Sequence, residues 1–175
     1  MADPATPLAS CAPTHGLLPV RHGGLTLEEV PMGPVTGVAP LRGCDLSLPA
    51  PGTWRDEGER RTIWAGLDQW LVAGPAPDAP GAAVTDQSDA WCRVRLSGPG
   101  VDDVLARLTP LDPAALTDGT CARSLVGHMN ALLLRDGAAV EIWAMRSMAG
   151  SLVHEVERAM RGVAARWTLE GDDPT

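Results

Sequence analysis

The sequence predicts an α+β protein in which an antiparallel sheet carries helices on one face. Apolar and polar residues alternate along residues 90–96, which is typical of a strand with one buried face. Apolar residues recur at helical spacing along residues 148–161. An Asp-Gly pair, Asp136-Gly137, separates two apolar runs and predicts a hairpin. Together these features give a β-α-β-β-α core, in which helices pack on one side of the sheet.

Residues 1–52 predict an extended arm, because they contain nine of the sixteen prolines and show no sustained period. Short apolar pieces at residues 25–30 and 46–48 could add strands or lie along a partner surface. The predicted organisation is a Pro-rich arm at residues 1–52 followed by an α+β domain at residues 53–175.

Residues 62–73 predict two short strands around Gly66-Leu67-Asp68, or one strand with a bulge. Residues 75–81 form a linker before the core. The early strands, and a last apolar stretch at residues 165–169, could extend the main sheet or form a smaller second sheet.

The core begins with the strand at residues 90–96, which turns Cys92, Val94 and Leu96 inward. The corner Gly98-Pro99-Gly100 ends this strand, and a helix is expected over residues 101–108. Two aspartates lie in the first turn of that helix, and Pro110 stops it.

Two more strands follow, at residues 124–134 and 138–145, joined by the Asp-Gly hairpin. A final helix is predicted over residues 148–161. Ser147 is placed to cap its start, and Gly162 lies where a C-terminal cap belongs.

Composition limits the function classes. The 175-residue chain has a net charge of −8 and no basic stripe, which argues against a nucleic-acid partner. Its four cysteines are far apart and have no histidine at zinc spacing, so metal binding is not expected. The start of the chain lacks the basic and apolar pattern of a signal peptide, and no apolar run is long enough to span a bilayer. We therefore expect a cytoplasmic protein with reduced thiols and no membrane partner.

No cofactor-binding motif or catalytic constellation stands out. The glycines of Gly98-Pro99-Gly100 are followed by Val-Asp-Asp, so the dinucleotide fingerprint lacks its third glycine and has acid where a pyrophosphate would lie. Candidates for a nucleophile, a base and an orienting carboxylate exist without a local signature that joins them: Ser88, Cys92, His128, His154, Asp86 and Glu155. We therefore predict no catalytic, cofactor-binding or metal-binding residue in this chain.

An ordered series of motifs does stand out. It comprises the Asp86-Gln87-Ser88 turn, the Ser97-Gly98-Pro99 corner, Leu111-Asp112-Pro113, and Arg146-Ser147 before a helix with His154. In this series the chain resembles the gamma subunit of heterotetrameric sarcosine oxidase, a family related to the folate-binding fold of the glycine-cleavage T-protein. The resemblance covers roughly the second half of the chain.

The resemblance implies a non-catalytic subunit in an oxidoreductase complex. Such a complex demethylates sarcosine to glycine, reduces oxygen to hydrogen peroxide and transfers the one-carbon unit to tetrahydrofolate. FMN, FAD, NAD and tetrahydrofolate are expected on partner chains, and the partners are the alpha, beta and delta subunits. A stand-alone folate-binding protein of the aminomethyltransferase type, or a subunit of an oxidase for another N-methyl amine, is the alternative.

A subunit interface is predicted at Trp91, Trp143, Asp86, Ser88 and Arg146. The two tryptophans lie on the nominally outward faces of their strands, and exposed tryptophan is typical of an interface. A second layer or the arm could equally cover them. Asp86 and Ser88 could instead only fix a tight turn, and Arg146 could be a solvated cation at a strand end.

Overall fold

The structure, a computed structural model, describes residues 12–171. Its strands are β1 (Val20–His22), β2 (Leu25–Glu29), β3 (Val35–Pro40), β4 (Trp54–Glu57), β5 (Arg60–Gly66), β6 (Gln69–Ala73), β7 (Ala82–Asp86), β8 (Trp91–Ser97), β9 (Cys121–Val126), β10 (Met129–Asp136) and β11 (Ala139–Met145). Its α-helices are α1 (Val101–Leu105) and α2 (Ala149–Glu170). The strands form two antiparallel sheets, in the orders β1-β2-β8-β11-β10-β9 and β4-β5-β6-β3-β7.

The six-stranded sheet is the middle of three layers. One face packs Val94, Ile142 and other apolar residues against α1 and α2. The opposite face packs Trp143 and its neighbours against Ile63 and Leu71 of the five-stranded sheet. The predicted α+β class, with helices on one face of an antiparallel sheet, is confirmed, and the early strands at residues 62–73 form part of a second sheet.

The predicted single strand at residues 124–134 is wrong. The chain forms β9 and β10 there, joined by a tight turn at Gly127, whose φ is 60°, and His128. Apolar residues flank this turn on both sides, and the run Ala131–Leu134 is buried on both faces of the sheet, so no alternation marked the break. The core order is therefore β-α-β-β-β-α.

The predicted C-terminal end of the last helix and its predicted N-cap are also wrong. The helix α2 passes through Gly162 and ends at Gly171, whose φ is 75°. Residues 165–169 are therefore helical. Val163 and Trp167 continue the buried face at a spacing of four, and this burial outweighs the roughly 1 kcal/mol that a glycine costs inside a helix. Ser147 does not cap α2, because it lies inside the 3₁₀ turn Arg146–Met148 and the N-cap residue is Met148.

Part of the predicted arm forms strands in both sheets. Leu25 and Leu27 of β2 are fully buried beside β8, and β3 lies between β6 and β7. Residues 1–11 of that arm lie outside the described residues. The division at residue 52 stays a prediction of domain organisation.

Candidate functional site

The Asp86-Gln87-Ser88 motif forms the connector that carries the chain from the five-stranded to the six-stranded sheet. The Ser88 backbone N–H donates a hydrogen bond of 3.0 Å to Asp86 Oδ1, and the Ser88 hydroxyl donates one of 2.6 Å to the same oxygen. The hydroxyl oxygen also accepts from the Val35 N–H at 3.0 Å. Hydrogen bonds from the Ser88 side chain and backbone hold the pKa of Asp86 below its ordinary value. The motif thus fixes a tight turn.

Gln87, in the middle of the motif, joins the two sheets directly. Its Oε1 accepts a 3.1 Å hydrogen bond from the Trp91 indole N–H, and its Nε2 donates to Thr85 Oγ1 at 3.3 Å. The amide lies across Gly37, where an added Cβ would come within 2.5 Å of Nε2. Sequence reasoning missed Gln87 as a site residue, although its place between two turn-forming residues was the available signal.

A cleft of about 330 Å³ opens beside this connector, between the ends of the two sheets. The side chains that carry its chemistry are Trp70, Trp91, Met145, Gln69, Gln87, Thr85 and Arg123. The Arg123 Nη1 group donates to the Ala65 carbonyl at 3.1 Å and closes one side. Because the described lining is apolar and amide-like and contains no cysteine, histidine or carboxylate, its chemistry suits binding more than proton transfer.

The predicted interface tryptophans lie between the sheets. Trp143 is fully buried and Trp91 is 5% exposed. Their rings make an edge-to-face contact with centroids 6.5 Å apart. The second layer proposed as an alternative for these two residues is therefore present, and it is the five-stranded sheet. Their outward-facing positions on the sheet were predicted correctly, but they are not exposed.

The structure brings Arg146 next to the connector, because its N–H donates a 2.8 Å hydrogen bond to the carbonyl of Ala90. Arg146 opens the 3₁₀ turn between β11 and α2 and is half-buried. Asp86 is exposed on the other side of the same connector, and Ser88 is half-buried. A subunit contact at Asp86, Ser88 and Arg146 stays a prediction.

A second polar group, the Glu141 cluster, comprises Glu141, Arg61, Arg93 and Trp143. The Glu141 carboxylate is almost fully buried. Arg93 donates to it through Nε at 2.8 Å and Nη2 at 2.6 Å, Arg61 through Nη1 at 2.9 Å, and Trp143 through its indole N–H at 3.2 Å. Arg61 belongs to the five-stranded sheet, so this carboxylate ties the two sheets together.

The cations of the Glu141 cluster are compensated by Glu141 together with Asp56, which lies outside the cluster. Burial by itself raises the pKa of Glu141, but the hydrogen bonds and charges of Arg93 and Arg61 outweigh it and hold that pKa below the ordinary value. Arg61 also binds both oxygens of Asp56, at 2.7 and 2.8 Å, and Arg95 pairs with Asp136 at 2.6 Å. The open depression of about 430 Å³ beside the cluster is therefore lined by cations that already have carboxylate partners. Sequence reasoning missed this cluster, whose only signal was a glutamate inside the apolar run of β11.

The candidate nucleophiles and bases are not assembled into a catalytic group. The Ser88 hydroxyl is bonded to Asp86 and Val35. The Cys92 thiol is buried, and this burial raises its pKa to about 11, so that it is un-ionised at neutral pH. His128 and His154 are exposed, in the β9–β10 turn and on α2 respectively.

Among residues 12–171, no group of three or more His, Cys, Asp or Glu side chains is placed to hold a metal ion. Within the same range, neither helix combines the length and the apolar character needed to cross a membrane.

Comparison with known proteins identifies the fold. No protein-family model matches the chain, and no curated protein matches it. Among solved structures, the fold of this chain is similar to that of a chain from a multi-subunit oxidase. The similar solved structure is that of heterotetrameric sarcosine oxidase from Corynebacterium sp. U-96 in complex with pyrrole 2-carboxylate, one chain of which matches this chain with a TM-score of 0.75 and 21% sequence identity. The match covers 88% of this chain and 96% of that chain, so the predicted resemblance is confirmed at the level of the fold.

Proposed function

We propose that this chain is the gamma subunit of a heterotetrameric sarcosine oxidase and that its role there is structural. The near-complete coverage in both directions carries the proposal. Two chains that cover each other so fully have similar lengths, so the similarity is to one small chain and not to a part of a large one. The order of the sequence motifs independently favours the gamma subunit.

The chemistry of the cleft supports a binding role. Its described lining offers tryptophan, methionine, amide and guanidinium groups, which bind a partner or ligand without transferring protons. In the proposed complex, the alpha, beta and delta subunits are the partners and carry FMN, FAD, NAD and tetrahydrofolate. The complex oxidises sarcosine to glycine in the cytoplasm, with formation of hydrogen peroxide and transfer of the one-carbon unit to tetrahydrofolate.

Purification of the native complex through a tag on this chain tests the proposal. We expect yellow partner chains with flavin absorbance and sarcosine-dependent peroxide production. A parallel preparation from cells that lack this chain serves as the control, and we expect it to assemble poorly and to lose activity. A colourless, solitary protein, or full assembly, stability and turnover without this chain, would contradict the proposal. A panel of other N-methyl amines decides the substrate.

The alternative is a stand-alone folate-binding protein of the aminomethyltransferase type, and the volume of the cleft is the observation in its favour. A cavity of about 330 Å³ is at the small end of the range for ligand sites. Titration of the isolated chain with tetrahydrofolate tests the folate-binding alternative. Tryptophan fluorescence is the readout, because Trp70 and Trp91 line the cleft. Saturable quenching would favour the alternative, whereas an unchanged signal would exclude it.

A further inference from the structure

The two sheets have four edges, and three of them are protected against pairing with another strand. The edge strand β1 has only three residues, and its His22 contacts Glu157 of α2 at 3.2 Å. The edge strand β4 carries three charged residues in a row. The edge strand β9 lies against β5 of the other sheet, to which it is joined by the Cys121 thiol on the Trp64 carbonyl and by the Arg123 guanidinium on the Ala65 carbonyl. Shortness, charge and coverage are the usual protections of an edge strand.

The fourth edge, β7, lacks these protections. Its sequence is Ala-Ala-Val-Thr-Asp, without a lysine, a proline or a charge before its last residue. Four of its five residues are exposed, and Val84 is 47% exposed. Within residues 12–171, β7 pairs with β3 alone. An uncharged, exposed edge of this kind is a template for an added strand.

The register shows which backbone groups are available on β7. The Gln87 N–H donates to the Val35 carbonyl of β3, and the Gly81 carbonyl accepts from the N–H of Leu41, the residue directly after β3. The Gly37↔Thr85 pair lies between these two positions in the same alternation. The residues between these positions therefore direct their backbone groups away from β3. Val84 is at the centre of this outward set, and its N–H and C=O point away from β3, the one strand with which β7 pairs within residues 12–171.

The open edge is continuous with the cleft. Ala83 and Thr85, the residues on either side of Val84, line the cleft opposite Met145, which is 39% exposed. Because side chains alternate along a strand, a strand added to β7 would place every second side chain over the cleft. Backbone groups of β7 would provide affinity, and the cleft would select the side chains.

We infer that β7 accepts one extended strand from a partner subunit, with bulky apolar side chains at alternate positions that enter the cleft. This inference rests on the proposed function. A second copy of this chain fits less well, because its β7 would direct only alanine and threonine side chains toward the cleft. Two copies would also each carry a net charge of −8, which disfavours their association.

The test uses the complex purified through this chain and compares Val84→Pro with Val84→Thr. Proline removes the outward N–H of Val84 and is tolerated on an edge strand when that N–H faces solvent. Threonine keeps the N–H and the branched shape. We expect Val84→Pro to weaken partner binding about ten-fold or more and to leave the urea midpoint of the free chain near that of the wild type. Val84→Thr should bind like the wild type.

Each outcome has a separate meaning. If the wild-type chain captures flavin-containing partners and Val84→Pro captures them equally well, the inference is overturned while the proposed function stands. If the wild-type chain captures none, the proposed function fails and the inference fails with it. A wild-type dimer that Val84→Pro abolishes would show that the occupant is a second copy.

Hydrogen exchange on the wild-type complex provides a second measurement that does not depend on the folding of a variant. We expect the Val84 amide to exchange at least about ten times more slowly in the complex than in the free chain, because it gains a hydrogen bond. Equal exchange in the two states would overturn the inference.

Discussion

Glu141 is the most constrained charge in the described chain. When a buried carboxylate loses its charge, its cationic partners lose part of their compensation, and this costs more than the ion pair itself contributes. We expect Glu141→Gln to lower the free energy of unfolding by about 3 kcal/mol, measured by urea denaturation at pH 7. Its partners Arg61 and Arg93 have side chains only 14% and 17% exposed, so water compensates them poorly.

Glu57 provides the matched control for this substitution. It pairs with Arg55 at 2.8 Å, but its side chain is 54% exposed. We expect Glu57→Gln to cost less than about 1 kcal/mol, because surface ion pairs contribute little. Equal losses in the two variants would show that the Glu141 cluster does not join the sheets energetically.

The same carboxylate predicts a pH dependence. The pKa of Glu141 is lower in the folded chain than its ordinary value of 4.5, so the unfolded chain binds more protons as the pH falls. Its contribution to stability is fully present above pH 4.5 and is lost as the pH falls through the folded value. The stability difference between the wild type and Glu141→Gln, measured by urea unfolding from pH 7 to pH 3, should therefore shrink in acid. A difference that stays constant or grows would contradict this sign.

Single positions differed in how well the sequence predicted them. The inward direction of Cys92, Val94 and Leu96 was correct, because alternation along one strand is a local property. The burial of Trp91 depends on a second sheet built from residues far away in the chain, so local pattern left it open. Glu141 was missed for the same reason: its partner Arg61 is 80 residues away in sequence.

At the scale of helices and strands, the corner before α1 strongly restricts which residue the sequence can place at position 100. Gly100 has a φ of 75°, and an added Cβ would lie 2.2 Å from the Trp167 ring of α2. Gly137 has a φ of 58° in the β10–β11 hairpin, with nothing near an added Cβ. Substitutions at the two glycines can therefore distinguish the cost of a positive φ from the cost of steric overlap with Trp167.

We expect Gly137→Ala to cost about 1 kcal/mol, from the positive φ alone. Gly100→Ala should cost about 3 kcal/mol, because the indole must also move. Thermal and urea unfolding of both variants measure the two costs. If the costs were equal, the contact between this corner and α2 would carry no weight in the fold.

The corner also shows why some boundaries were predicted and others were not. Its glycines and proline marked the end of β8 clearly, and the Asp-Gly pair marked the β10–β11 hairpin, because positive φ requires particular residues there. The turn at Gly127 between two apolar strands and the passage of α2 through Gly162 were not predicted. In both places, packing against other layers decides the structure, and local preference is too weak to reveal it.

The three layers depend on a long-range arrangement of the first part of the chain. The strand β2 lies between β1 and β8 in one sheet, whereas β3 lies between β6 and β7 in the other. Each sheet therefore includes a strand from residues 20–40. The composition of these residues predicted an arm. Their strands pair with partners far away in the sequence, and such strands form without a strong local pattern.

A fragment of residues 53–175 tests whether the predicted domain is an independent folding unit. Without β2, the apolar surface of β8 that covers Leu25 and Leu27 would be exposed, and without β3 the strand β7 would lose its pairing. We therefore expect the fragment to lack a cooperative urea transition, whereas a fragment of residues 12–171 should unfold in one. A cooperative transition of the shorter fragment would support the division at residue 52 and would make β1, β2 and β3 a docked arm. Its absence would mean that both sheets form only together with the first strands, so that the cleft and the open edge of β7 belong to a single folding unit.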